Sequence, residues 1–304
     1  MGRLVAIVGP TGTGKTRLAL HLARKFGGEI INADSRQVYR YMDIGTAKPT
    51  KEELAMVSHH LFSIIDPDEE FSLAHYQELA HDAINGVQSR GKLPFLVGGT
   101  GQYVWAMLEG WVIPRVPPDM EFRHSLEQKA AAGQTEELYR ELARVDPSAA
   151  DRIDPHNVRR VIRALEVSRQ KPSAQVTKRV PPPFESTIVG LTMERKKLYN
   201  RVDSRVDEMI AGGFVDEVKH LLEMGYGLTL PSISSIGYRE IGQYFQGKIT
   251  LDEAVYRIKV GTHRFIRHQY AWFRLTDERI KWWEAEVLPV SEIEALLREH
   301  VGYV

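Results

Sequence analysis

The chain has 304 residues, 43% of them hydrophobic, with 40 basic side chains against 40 acidic ones. It has no cysteine, which excludes disulfides, thiolate metal sites and cysteine nucleophiles. Neutrality excludes a wholly basic nucleic-acid binder but leaves room for local basic faces. No apolar run approaches the ~18 residues that cross a membrane. The apolar start is too short for a signal peptide, so the expected location is the cytoplasm.

In chain order, "RLVAIVG" predicts a short buried strand. It runs into "GPTGTGKT" (residues 9–16), which fits the phosphate-loop pattern G-x-x-x-x-G-K-[ST]. This is also the signature of nucleotide-binding (ATP-binding) proteins. Glycines in such a loop let backbone N–H groups face an anion, and the following helix N-terminus adds a favourable partial charge. Here Gly9, Pro10, Thr11, Gly12, Thr13 and Gly14 form the loop. Lys15 would reach an outer phosphate, and the Thr16 hydroxyl would hold Mg²⁺. "KTRLALHLARKFG" has helical spacing and a glycine stop, and "GEIINADS" predicts a second strand ending in polar residues. Asp34 at that end has three readings: metal ligand, helix N-cap or general base.

"SLAHYQELAHDAINGVQSRG" predicts an amphipathic helix, "LPFLVGGTG" a third buried strand and "GQYVWAMLEG" a helix. Alternation of strands and helices predicts an α/β fold with a parallel sheet, whose ligand crevice lies at the carboxyl ends of the strands. The phosphate loop, "NADSRQVY" and "GGTGQY" all fall there. Nucleoside-triphosphate enzymes with such a loop usually place an acid at the end of another strand. "LPFLVGG" ends in Gly98 and Gly99 instead.

"WVIPRVPPDM" predicts a proline-rich linker, residues 121–180 are helical in pattern, and "VPPPFES" is a second hinge before the strand "STIVGLTMER". The expected division is a core of residues 1–114 and 187–304 interrupted by a helical insertion, 115–186. The rest of the core is expected to be mostly helical. "RRVIRALEVSRQ" reads either as a solvated face with intrahelical pairs around Glu166 or as an RNA contact. "THRFIRHQYAWFR" reads either as a buried aromatic stripe with charged edges or as a phosphate- and base-contacting surface.

These segments together resemble one family. "GPTGTGKT", "INADSRQVYRYMDIGTAKP", "HHLFSIIDPDEEFSLAHY", "LVGGTGQYVWAMLEG", "RRVIRALEV", "SSIGYRE" and "THRFIRHQYAWF" occur in the order found in the bacterial tRNA dimethylallyltransferases. The resemblance spans nearly the whole chain. It implies a phosphate-loop NTPase-like core with a small helical insertion that clasps the anticodon stem. It implies transfer of a dimethylallyl group from dimethylallyl diphosphate to the N6 amine of the adenosine beside the anticodon, in tRNAs that read codons beginning with U. The loop would then hold the donor's diphosphate, which explains the missing strand-end acid.

Residue by residue, the resemblance implies Asp34 as general base, with Thr100 orienting it or the target base. Residues 9–16 and Arg205 would hold the diphosphate, with Mg²⁺ at Thr16, and the loop N–H groups of residues 11–14 would stabilise the leaving group. Asp34, Ser35, Arg36, Gln37 and Thr100 would meet the extruded base and its RNA. Arg123, Arg159, Arg160 and Arg163 would contact the RNA from the insertion, and Ser235, Gly237, Tyr238 and Arg239 from the core. The chain departs from the family at Gly12-Thr13, often Ala-Ser, and at Ser234-Ser235-Ile236, where an arginine often stands first. Three other readings remain: a small-metabolite kinase, a non-catalytic RNA-binding module, and an isopentenyltransferase that uses free adenylate.

Overall fold

The structure, a computed structural model, describes residues 2–113, 116, 119–170 and 179–301. Parts of the proline-rich linker (114, 115, 117 and 118) and residues 171–178 lie outside the described residues. The elements in chain order are β1 (Gly2–Val8), α1 (Lys15–Lys25), β2 (Glu29–Asn32), α2 (Lys51–Met56), β3 (His59–His60), α3 (Leu73–Ser89), β4 (Pro94–Val97) and α4 (Gly101–Leu108). Four helices follow: α5 (Met120–Ala131), α6 (Thr135–Val145), α7 (Pro147–Ala150) and α8 (Val158–Gln170). Then come β5 (Phe184–Thr192), α9 (Arg195–Ala211), α10 (Phe214–Glu223), α11 (Tyr238–Phe245), α12 (Leu251–Trp272), β6 (Ile280–Glu284) and α13 (Val290–Val301). Among the described residues no helix is long and apolar enough to cross a membrane.

The chain divides into two compact units, Met1–Gly110 with Pro181–Val304, and Trp111–Val180. The boundary falls before the expected residue 187 because "VPPPFES" is not all hinge: Phe184 already pairs with Gly2 in the sheet.

In the larger unit six strands pair, all parallel, in the order β3-β2-β4-β1-β5-β6. Leu4, Val5, Ala6, Ile7 and Val8 are all fully buried, as a central strand covered by helices on both faces requires. Val5, Ile7, Leu22, Phe95 and Leu191 form one apolar cluster with Ile293 and Leu297 of α13. The expected mostly helical C-terminal part contains β6, "IKWWE", whose β-branched and aromatic residues suit an edge strand beside β5. Glu29 is buried at the start of β2, away from the crevice. Burial alone would push its carboxyl up, but hydrogen bonds from Arg90, Lys92 and His60 outweigh it and hold the pKa at about 2.

The smaller unit packs α5 to α8 around Leu126, Leu138, Leu142, Val161, Ile162 and Leu165. Side-chain caps start α5 and α7: Asp119 accepts from the N–H of Phe122, and Asp146 from that of Ala149. Glu166 of α8 is completely buried. Arg123 of α5 grips it through two 3.0 Å hydrogen bonds, and Arg163 adds a third contact at 3.4 Å.

Candidate active site

The phosphate loop joins β1 to α1, and its backbone fixes its glycines. Gly9 has φ +131°, and a Cβ there would stand 2.2 Å from the carbonyl oxygen of Leu191. Gly14, with φ +89°, is the N-cap of α1 and has no side chain to fill the anion site. The Thr13 hydroxyl donates to the Pro10 carbonyl at 2.9 Å and staples the loop internally. Lys15 donates to the same carbonyl at 2.8 Å. Burial, together with the Arg205 guanidinium, lowers the Lys15 pKa to about 8 against the opposing pull of Asp34. The Thr11 N–H, expected to face the diphosphate, instead donates to Gln269 Oε1 at 2.8 Å. That leaves the anion the N–H groups further along the loop.

Asp34 follows β2 and is held by its own turn. Its N–H donates to Asn32 Oδ1 at 2.8 Å, and its Oδ1 accepts from the N–H of Arg36 at 2.9 Å. Asn32 itself is fully buried and ties this turn to the Leu61 carbonyl. Of the expected roles, an N-cap is excluded, because no helix begins at residue 35. Thr100 stands at the N-cap position of α4 yet makes no capping bond. Its hydroxyl accepts from the N–H of Ser35 at 3.0 Å and donates to Ser35 Oγ at 3.3 Å. Thr100 therefore positions the residue beside Asp34.

Two cavities meet at this point. One, of about 570 Å³, is lined by the phosphate loop, Lys15, Thr16, Arg201 and Arg205. The other, of about 320 Å³, has an apolar wall that includes Val202, Val206, Met209, Phe214 and Phe265. Thr11, Asp34, Thr46, Ala47 and Arg205 line both. The first cavity sets Lys15, Arg17, Arg201 and Arg205 against Glu53 and Glu208, and the Asp34 carboxylate stands at the junction. Burial, and after it the neighbouring Arg201, lower the Arg205 pKa from its ordinary value against the opposing pull of Glu208, Asp34 and Glu53.

Thr16 lines the first cavity, and its hydroxyl has no hydrogen-bond partner among the described residues. No group of three or more His, Cys, Asp or Glu side chains capable of holding a metal occurs among them. A single hydroxyl beside an anion site fits a hard cation whose other ligands are phosphate oxygens and water.

The RNA-side residues are placed unevenly. Gln37 donates its amide to the Thr46 and Ala47 carbonyls at 3.0 and 3.1 Å, bracing residues 46–47. Arg36 donates to the Pro231 carbonyl at 2.9 Å. Ser235 lines the apolar cavity but spends its hydroxyl on the Ser232 carbonyl. Gly237, with φ +94°, packs against Phe214, which a Cβ would strike at 2.8 Å. Tyr238, expected at the RNA surface, has no exposed surface and donates its hydroxyl to Glu217. Arg239 is half exposed, with its Nε bonded to buried Glu240 at 2.9 Å. In the helical unit Arg159 and Arg160 are exposed. Arg123 and Arg163, expected to reach RNA, are also engaged by Glu166, with side chains 28% and 41% exposed.

Two site residues were missed in the sequence. Glu217 accepts the N–H groups of Asp43, Ile44 and Gly45, which shapes the turn behind Thr46. Its signal in the sequence is indistinguishable from that of any helical surface glutamate. Gln269 had a signal: it lies three residues after buried Ile266, on the core face of α12, where a polar residue needs a reason.

Comparison with known proteins agrees with this architecture. The family model for IPP transferase matches residues 37–276, and that for isopentenyl transferase matches residues 2–62. The tRNA dimethylallyltransferase of Roseiflexus sp. is 56% identical over 89% of this chain and 90% of its own. That of Dehalococcoides mccartyi is 48% identical over 98% and 93%. Among solved structures, the tRNA isopentenylpyrophosphate transferase of Bacillus halodurans superposes with a TM-score of 0.75 at 41% identity, covering 99% of this chain and 97% of that one. A eukaryotic dimethylallyltransferase acting on tRNA gives a TM-score of 0.82 at 25% identity, covering 99% and 80%. With its phosphate loop, its strand-end carboxylate and relatives matched over almost their full length, this chain belongs to the tRNA dimethylallyltransferase (IPP transferase) family.

Proposed function

We propose that this protein transfers a dimethylallyl group from dimethylallyl diphosphate to the N6 amine of the adenosine 3′ to the anticodon, in tRNAs reading codons beginning with U, and releases diphosphate. The observation that carries this reading is Asp34, which lines both the cationic cavity and the apolar one. The donor's diphosphate enters beside Lys15 and Arg205. The adenine, flipped out of its stack, enters along the wall of Met209, Phe214 and Phe265. N6 forms a bond to the allylic carbon as the carbon–oxygen bond to diphosphate breaks, and Asp34 takes the proton that N6 loses. Negative charge builds on the departing diphosphate, where the loop N–H groups, Lys15 and Arg205 offset it. Mg²⁺, held by the Thr16 hydroxyl, would neutralise part of the same charge.

No terminal phosphoryl group is transferred in this reaction, so the strand-end acid that helps hold Mg²⁺ in phosphoryl-transfer enzymes is not required. The residues implied as RNA contacts divide by surroundings: exposed Arg159 and Arg160 suit phosphate contact from the helical unit, whereas Arg123 and Arg163 act by holding it together.

Labelled dimethylallyl diphosphate, Mg²⁺ and an unmodified anticodon stem-loop test the proposal, with AMP and ATP as competing acceptors. Label on the stem-loop alone is the expected result. Label on AMP would move the protein to the free-nucleotide class. ATP hydrolysis without label transfer would return the loop to ordinary nucleotide chemistry. Asp34→Ala should lower the transfer rate by about 10²–10⁴-fold, and near-normal turnover with saturating stem-loop would remove Asp34 from the role of base.

A further inference from the structure

One buried side chain outside the phosphate loop, and outside every role assigned above, touches both halves of the site. Gln269 of α12 is 2% exposed. Its Oε1 accepts from the N–H of Thr11 in the phosphate loop at 2.8 Å. Its Nε2 donates to the carbonyl of Gly99, which directly precedes Thr100, at 3.1 Å. The backbone is shaped around it, since a Cβ on Gly99 would lie 2.1 Å from Gln269 Nε2. The chain of contacts continues from Thr100 to the N–H of Ser35, next to Asp34. Thr11 itself lines both cavities.

We propose that Gln269 is a positioning residue: a fixed strut whose amide sets the distance and register between the loop that holds the leaving diphosphate and the turn that carries the proton acceptor. An uncharged amide is the side-chain chemistry this position needs. It accepts at one end and donates at the other at every pH, and it brings no charge beside the diphosphate. A phosphate-loop N–H left unpaired in a buried site would be costly, and a donor-filled loop would otherwise compete for it. By occupying it, Gln269 confines the diphosphate to the N–H groups nearer Lys15. Transfer geometry tolerates little error, and displacement of about 1 Å by a residue remote from the reacting atoms can cost about 100-fold.

The proposal rests on the reading of Asp34 as base and of the loop as diphosphate holder, so its test must separate the two. Single-turnover transfer rates are measured for wild type, Gln269→Leu, Thr100→Ala and the double variant. Active sites are counted by bound dimethylallyl diphosphate. Gln269→Leu should keep donor affinity within about threefold while the rate per occupied site falls by about 10- to 100-fold. The double variant should be little slower than the slower single one, because both act through the same turn. Additive losses, or a wild-type rate per site in Gln269→Leu, would overturn the proposal without touching the transfer reaction, which the wild-type arm reports.

Should Gln269→Leu fail to fold, Gln269→Glu carries the test. Its protonated carboxyl can donate to Gly99 and accept from Thr11, and its carboxylate cannot do the first. The ratio of its rate to that of wild type should climb as pH falls. A ratio independent of pH, or one that falls with it, would contradict the strut.

Discussion

Arg201 and Arg205 of α9 stand four residues apart, as do Arg159 and Arg163 of α8, yet their surroundings assign them different work. The α9 pair faces a cavity, and no acidic partner is bonded to either among the described residues. Arg205 is destabilised as a cation by burial and by its neighbour. Glu208, Asp34 and Glu53 oppose that effect from nearby without bonding to Arg205, so its N–H groups stay available to an anion. In the helical unit, buried Glu166 answers Arg163 and Arg123, while Arg159 stays in water. An arginine is informative through what it fails to neutralise. The same residue type with a buried carboxylate in reach is a cross-link between helices.

That contrast can be broken by substitution, and the largest effect is expected at Arg205. Arg205→Ala should slow transfer by about 10²–10³-fold through lost stabilisation of the leaving diphosphate, with thermal unfolding little changed. Unaltered kinetics would show that the cavity's charge is incidental. Arg123→Ala should do the reverse. It leaves the Glu166 carboxylate buried with one remaining partner, a loss of about 3 kcal/mol. The readout is faster amide hydrogen exchange in α5 and α8, with the rate per bound donor preserved. A stable variant with defective RNA binding would make Arg123 a contact residue after all.

A pH effect of intermediate size follows from Lys15. Its pKa lies near 8, below the ordinary lysine value, so the free enzyme carries this charge below about pH 8 and loses it above. Donor binding needs the ammonium, so affinity should be level between about pH 7, where the diphosphate is fully ionised, and pH 8, and fall by up to about tenfold per unit above it. The profile is read by equilibrium binding of dimethylallyl diphosphate. A flat profile to pH 10 would show that Lys15 stays charged in the free site. The smallest effect belongs to Arg159→Ala, expected to reduce the salt dependence of stem-loop binding by about one phosphate contact. An unchanged slope would exclude that contact.

Much of the fold was legible because its signals are local. β1, the glycine-rich turn and α1 follow from a buried apolar run, positive-φ glycines and helical spacing within residues 2–25. The convergence of residues 9–16, 34–37 and 98–100 followed from strand alternation alone. What escaped depended on partners distant in sequence. Gln269 meets Thr11 across 258 positions, and no pattern within α12 names that partner. Glu166 lay within the motif that suggested RNA contact, and only the packing of α5 on α8 shows that Arg123 spends its charge there. Tyr238, implied on the RNA side by the resemblance, lines the apolar cavity and is enclosed by Phe214 and Glu217, whose contact with it no local pattern announces. The two-residue β3 has too little pattern to announce itself and exists through its pairing with Ile30 and Ile31.

The central claim is that the phosphate loop holds a prenyl donor's diphosphate in place of a nucleoside triphosphate. Equilibrium dialysis of labelled dimethylallyl diphosphate tests it most directly. The protein is held with Mg²⁺ and a stem-loop in which the target adenosine is replaced by a purine nucleoside lacking the amine, so that binding proceeds without reaction. One donor should bind per chain, ATP should displace it only in large excess, and Lys15→Ala should weaken it. Tight ATP binding that excludes the donor, or donor binding indifferent to Lys15, would contradict the account.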